Sequence, residues 1–182
     1  MWSREERLTG GNDSVWRNLA LAHKYISGLL SRTNPSPRQL EHAQRAREYD
    51  QRRVDRDPAN AEARMDLSFD LTSIAAYYSN ILGAYPEAAL YIQEALAIRR
   101  RLLEVDPTNH WIARSLWYPL MNAAYLSWRM GDFAALESGL RAFREHQARS
   151  PMPAPPMEAT WVEFLSGELA HRQARLGDAC AA

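Results

Sequence analysis

The chain has one cysteine, one lysine, no net charge and no long apolar run, and each scarcity closes off a class of function. Cys180, third from the end, has no second cysteine for an internal disulfide. No histidine or cysteine stands near enough in the sequence to make it a nucleophile or a metal ligand. Acidic and basic side chains number 22 each, which argues against nucleic acid or an anionic membrane as the main partner. Lys24 is the only lysine, so arginine carries almost all the positive charge. Arg52-Arg53 and Arg99-Arg100-Arg101 read as solvated helix faces. No apolar stretch approaches the ~20 residues that cross a bilayer, so no membrane insertion is expected. The opening residues, MWSREERLTGG, lack the apolar core of a signal peptide and read as a loose arm over residues 1–11, or as the end of a linker. A cytoplasmic location follows as the expectation.

Catalytic motifs are missing as well. His23, His42, His110, His146 and His171 are scattered, with neither His-x3-His nor His-Glu-x2-His spacing. There is no Gly-x-Ser-x-Gly elbow. Asp66 and Asp70 share a helix face one turn apart, but such pairs are usually just solvated. No catalysis, metal or cofactor is expected, because the partner groups that a reaction centre requires are absent from the sequence.

What the sequence does have is a repeat. Blocks opening at Asn12, Asn60 and Asn109 begin 48 and 49 residues apart, and the second and third are entered through Asp-Pro-x-Asn. Apolar positions keep step through Leu19, Leu67 and Leu116, then Ile26, Ile74 and Ala123. A period of this size is the signature of stacked helical units that bury one another. The fold class expected is all-α, with antiparallel helix pairs stacked as a right-handed solenoid of about seven helices.

Helical spacing and stop signals place the elements. A first helix starts at Asp13 or Ser14 and carries Val15, Leu19, Ala22, Ile26 and Leu29 as its apolar stripe. Ser36-Pro37-Arg38-Gln39 reads as a capping box with proline at the first helical position. The second helix then runs to about Arg56, with Leu40, Ala43 and Ala46 inward. Asn60 caps a third helix with the stripe Leu67, Leu71, Ile74, Tyr78 and Ile81, stopped at Gly83. Pro86 opens a fourth, apolar on two sides and therefore sandwiched. The fifth contains Pro119, where a kink or break is expected. Gly131-Asp132 stops it and caps a sixth, built on Leu136, Leu140 and Phe143. A proline-rich linker over 149–156 leads to a last helix over 157–176, burying Trp161, Val162, Leu165 and Leu169. A short tail follows over 177–182.

Inside the long period lies a shorter pattern, Ala76-x6-Gly83-x-Tyr85-x2-Ala88-x6-Ala95-Leu96, closed by Asp106-Pro107. It resembles the tetratricopeptide repeat, in longer units than the common 34-residue form, over residues 12–148 as three helix pairs. The stretches RNLALAHKYISGLL, ARMDLSFDLTSIA and EALAIRRRLLEVDPTN resemble the repeat region that follows the catalytic domain in some bacterial serine/threonine kinases. The chain itself has no glycine-rich phosphate loop, His-Arg-Asp or Asp-Phe-Gly. If it belongs to a membrane-spanning kinase, an extracytoplasmic location is expected instead.

The resemblance implies a concave groove lined by the first helix of each pair, at fixed offsets before the turn glycine. In the middle unit these offsets fall on Asp66, Asp70, Ser73, Tyr77 and Asn80, a polar stripe from which Tyr77 and Asp70 are expected to face the groove. In the third they fall on Arg114, Tyr118, Met121, Tyr125 and Trp128, and in the first on Asn18, Ala22, Tyr25, Leu29 and Arg32. Met121, Tyr125 and Trp128 have an alternative role, packing under the final helix. Trp111 and Trp117 are expected in the core or between repeats. The function implied is a non-enzymatic module that holds a protein or peptide segment in the groove. The alternative is a self-associating scaffold, a homodimer through the groove or the terminal helix.

Overall fold

The computed structural model describes residues 12–181, with side chains described as far as Arg175. The proposed N-terminal arm lies outside the described residues, as does the side chain of Cys180. No strand occurs among the described residues. The elements are α1 (Asp13–Thr33), α2 (Pro37–Arg56), α3 (Ala61–Tyr77) with a π-helical turn at Tyr78–Leu82, and α4 (Tyr85–Val105). They continue with α5 (His110–Ser115), α6 (Trp117–Met130), α7 (Phe133–Arg149) and α8 (Pro156–Ala181). The last helix thus runs on through what reads as a tail.

The three asparagines that open the repeat blocks are all helix N-caps. Asn12 Oδ1 accepts from Ser14 N, Asn60 Oδ1 from Ala63 N at 3.0 Å, and Asn109 Oδ1 from Ile112 N at 3.1 Å. The first helix is therefore capped by Asn12, ahead of the Asp13 and Ser14 expected to do it. The two Asp-Pro-x-Asn turns are built alike: Asn60 N donates to Asp57 O and Asn109 N to Asp106 O. Gly83 and Gly131 close their helices at φ 64° and 72°, a left-handed conformation that side chains with a Cβ disfavour. Ser36 does cap α2, with Pro37 behind it, but its side chain makes no capping bond. The partner expected in that box, Gln39, is buried and turned into a cavity.

The chain divides into two compact units, Met1–Gly83 and Ala84–Ala182. In the first, α2 packs on both α1 and α3. Ala20, Ala43, Ala46, Leu67, Leu71 and Ile74 form much of its core. The inner face of α1 is set by Trp16, Ala20 and Ser27, one position round from the expected stripe, so Ala22, Ile26 and Leu29 are exposed. In α2 the alanine stripe continues into Asp50 and Arg53, both 0% exposed. Arg53 is thus no part of a solvated face. Nor is Arg99, 1% exposed on α4.

In the second unit α6 packs against α4, α7 and α8. Trp117, Leu120, Ala124, Leu136, Leu140, Phe143, Val162 and Leu165 are its core. A Cβ on Gly139 of α7 would stand 3.1 Å from the Ala124 backbone, so the helices touch where both residues are small. Trp161 sits at the rim of the buried face of α8, and Trp111 is largely exposed, outside the core expected for it.

The break expected near Pro119 falls at Leu116, between α5 and α6. Proline has no N–H to give to the carbonyl four residues back, which is that of Ser115. The buried guanidinium of Arg99 donates to that carbonyl through Nη1.

Candidate functional site

A polar cavity of about 290 Å³ lies within the first unit. Lys24, Ser27 and Ser31 reach it from α1 at successive turns, and Gln39 and Ala43 from α2 one turn apart. Asp70, Ser73 and Ala76 come from α3, with Asn80 and Ile81 from the π-helical turn. Gly28, Ser31, Ser73, Asn80 and Ile81 are exposed, so the cavity opens to solvent.

Its floor is an ionic cluster across three helices. Lys24 Nζ lies 2.6 Å from Asp50 Oδ2 and 3.1 Å from the Asp66 carbonyl oxygen. Arg53 Nη1 is 2.7 Å from both Asp50 Oδ1 and Asp66 Oδ2, and its Nε is 3.2 Å from Asp13 Oδ1. Burial alone would lower the Arg53 pKa, but the bonds to Asp66 and Asp50 outweigh it and hold the guanidinium above its usual range. Asp70 is the least satisfied member. Its Oδ2 stands 3.5 Å from Lys24 Nζ, an ion-pair distance too long for a good hydrogen bond, and it accepts none. Burial pushes the Asp70 carboxyl up to about 9; Lys24 pulls it down, and the Asp50 charge pushes it further up.

Asp70, Ser73 and Asn80 of the expected stripe line this cavity, and Asp66 anchors its floor. Asp70 is nevertheless buried, 1% exposed, and Tyr77 is buried too, at 4%; neither is the open groove residue expected. The stripe is wide enough that its flank turns inward: at ~100° per residue, Asp70 lies about 60° round from Ser73 and Tyr77 about 40°. In the first block Asn18, Ala22, Tyr25, Leu29 and Arg32 are all exposed, Tyr25 at 76%. In the third, Arg114 is exposed, Tyr118 half-buried and Met121 buried. Tyr125 and Trp128 make edge contacts to Trp161 and Phe164 of α8, at centroid distances of 5.4 and 5.6 Å. Their alternative role, packing under the final helix, is the one observed.

Lys24, Ser27, Ser31 and Gln39 were not among the expected site residues. A signal for Lys24 did exist, since Asp66 and Asp70 share one face with no basic residue at i+4 on that face. A second, broader cavity of about 740 Å³ in the other unit is lined by Arg100, Glu104, Glu145, His146 and Arg149 among others. Its one half-buried imidazole, His146, already bonds to Ala113 O through Nε2. Among the described residues no group of three or more His, Cys, Asp or Glu could hold a metal ion, and no helix is long and apolar enough to cross a membrane.

No family model matches this sequence, and no curated protein matches it.

Proposed function

We propose that the chain is a non-enzymatic binding module of the tetratricopeptide kind. It takes a peptide or partner-protein segment at the mouth of the polar cavity and serves as the sensing or docking region of a bacterial serine/threonine kinase system. One observation carries the reading. Three of the five positions that the repeat offsets assign to ligand contact in the middle block, Asp70, Ser73 and Asn80, line a single solvent-open cavity. The exposed side chains Tyr25 and Arg32 on α1 supply further contact surface of the types found at interfaces. The test is selection of a displayed random-peptide library on the full chain, followed by binding to Ser73→Trp, which fills the cavity mouth from an exposed position. The variant is expected to melt within a few degrees of wild type and to lose the selected peptides. Retention of all of them overturns this reading. ATP-magnesium is expected to give no heat in calorimetry, and micromolar binding would contradict a non-enzymatic role.

A second reading, a self-associating scaffold, is favoured by the terminal helix. Met157, Trp161 and Phe164 of α8 are exposed and line one apolar hollow with Pro156 and Thr160. Light scattering separates the two: a dimer that Phe164→Glu converts to monomer supports the scaffold.

A further inference from the structure

The cavity of the first unit is rich in acceptors. Ser27 Oγ donates to Gln39 O at 3.0 Å, Ser31 Oγ to Gly28 O at 3.1 Å, and Ser73 Oγ to Phe69 O at 3.0 Å. A carbonyl oxygen has no proton to give, so each hydroxyl uses its single hydrogen there and keeps only lone pairs. Two of the three N–H groups of Lys24 are held by Asp50 and the Asp66 carbonyl, and Asp66 Oδ1 and Asp70 Oδ2 stand near the ammonium at 3.8 and 3.5 Å. The donors that remain are the amide N–H groups of Asn80 and Gln39 and the proton that Asp70 carries when the site is empty. Two buried acceptors, Asp70 Oδ2 and Gln39 Oε1, have no hydrogen-bond partner, and both residues line the cavity and are more than nine-tenths buried.

Charge points the same way. Lys24 and Arg53 balance Asp50 and Asp66, two positive groups against two negative, and Asp70 is a third carboxyl with no cation of its own. Asp13 and Glu62 add further acid at the solvent edge, where Arg17 pairs with Glu62. The unbalanced carboxyl is the one that reaches the cavity. Ala43, Ala76 and Ile81 add an apolar wall beside these acceptors.

We propose that this cavity is a subsite for a primary ammonium group on an alkyl stem, the end of a lysine side chain or a small free amine. The ammonium sits among Asp70 Oδ2, Gln39 Oε1 and the serine lone pairs, and its stem lies along Ala43, Ala76 and Ile81. A tetrahedral ammonium, with three donors, suits acceptors that converge from three helices. A guanidinium asks instead for a planar, paired acceptor such as a carboxylate with both oxygens free. About 290 Å³ is roughly ten times a water's share of liquid, enough for an alkylammonium and some solvent. The inference rests on the binding reading above and gives its ligand a chemistry. Empty, the site keeps Asp70 protonated, because burial and the Asp50 charge outweigh Lys24. An arriving ammonium brings one positive charge and displaces that proton to solvent, so the net charge of the cluster is unchanged.

The experiment is calorimetry on the full chain at pH 7.5, with amide-capped lysine and n-butylamine as probes. Amide-capped norleucine, arginine and glutamate are the controls. Capped lysine or butylamine is expected to bind, norleucine and glutamate are not, and arginine is expected to bind more weakly. Titrations in buffers of different ionisation enthalpy are expected to show about one proton released. Asp70→Asn, nearly isosteric, is expected to weaken binding about tenfold or more, the loss of a charge-assisted contact. Ser31→Leu, at the exposed mouth and away from the ions, provides the same readout should Asp70→Asn fail to fold. Equal affinity for lysine and butylamine identifies a free-amine site, and tighter lysine binding identifies a peptide site; both support the subsite. Equal binding of norleucine, or undiminished lysine binding by both variants, overturns it. Selected peptides that need an open Ser73 but no lysine would leave the binding module standing and remove the ammonium subsite. Amine binding without any selected peptide would do the reverse.

Discussion

Arg53 and Arg101 show how little a charge says about its own surroundings. Both lie in arginine runs on helices, yet Arg53 is wholly buried against Asp50 and Asp66, whereas Arg101 meets Glu104 in solvent at 3.3 Å. Hydrophobic periodicity registers the alanines of α2 and goes silent where the inner face turns ionic. What remained legible was an acid and a base one turn apart, in line with Ala43 and Ala46, where a solvated pair has no reason to be. Removing one partner of a buried ion pair leaves an uncompensated charge, so Arg53→Met is expected to cost about 3–5 kcal/mol. Arg101→Ala should change stability by no more than about 0.5 kcal/mol, as exposed pairs contribute little. Urea denaturation of the two variants checks the contrast. Equal, small effects would mean that Arg53 is solvated in solution.

Elements were easier to read than their rotations. Asparagine caps, Asp-Pro turns and the glycines at 83 and 131 mark helix ends by local chemistry, and they stand where that chemistry places them. The face that each helix buries depends on its neighbours, which is why α1 turned Trp16, Ala20 and Ser27 inward and left Tyr25, Ile26 and Leu29 outside. The break before Pro119 joins both kinds of information. Proline removes a bond to the Ser115 carbonyl, and Arg99, sixteen residues earlier on α4, supplies a replacement. Arg99→Met should therefore orphan a carbonyl and destabilise by about 1–3 kcal/mol. Pro119→Ala restores a backbone N–H at the right position, so Arg99→Met should be less damaging in that background. A double-mutant cycle by denaturant melts measures the coupling, expected at roughly 0.5–3 kcal/mol. A coupling of zero would show that Arg99 acts elsewhere and not through the carbonyl.

At the scale of the whole molecule, the period of 48 and 49 residues was legible because its punctuation repeats, while the site was legible only in part. The offsets found Asp70, Ser73 and Asn80 on one helix; Lys24 and Gln39 come from two others, and nothing in a single helix's pattern announces them. Titration ties these scattered groups into one measurable property. His23 and His42 share a proton between Nδ1 atoms 2.8 Å apart, so one ring must stay unprotonated there, and His23 is held below its usual value by burial first and by His42 next. Burial likewise lowers His146, against the bond to Ala113 O, which raises it. A histidine with a depressed folded value adds stability above about pH 6.5 that is lost as pH falls through the folded value. Asp70 works in the opposite direction: burial raises its carboxyl first, Lys24 from α1 pulls it down, and the Asp50 charge from α2 pushes it further up. Its folded value is raised to about 9, so its contribution is fully present only below the unfolded carboxylate range and is lost as pH rises toward that value. The melting temperature should then peak near pH 6–7 and fall on both sides, the alkaline limb losing up to about 1.4 kcal/mol per pH unit for one proton. Asp70→Asn keeps the acid limb and flattens most of the alkaline one. The check is a set of thermal melts from pH 5 to 9 on both proteins. A wild-type melting temperature that holds level or climbs from pH 7 to 9 would show Asp70 already ionised, and the cluster would then carry its third negative charge without any ligand to balance it.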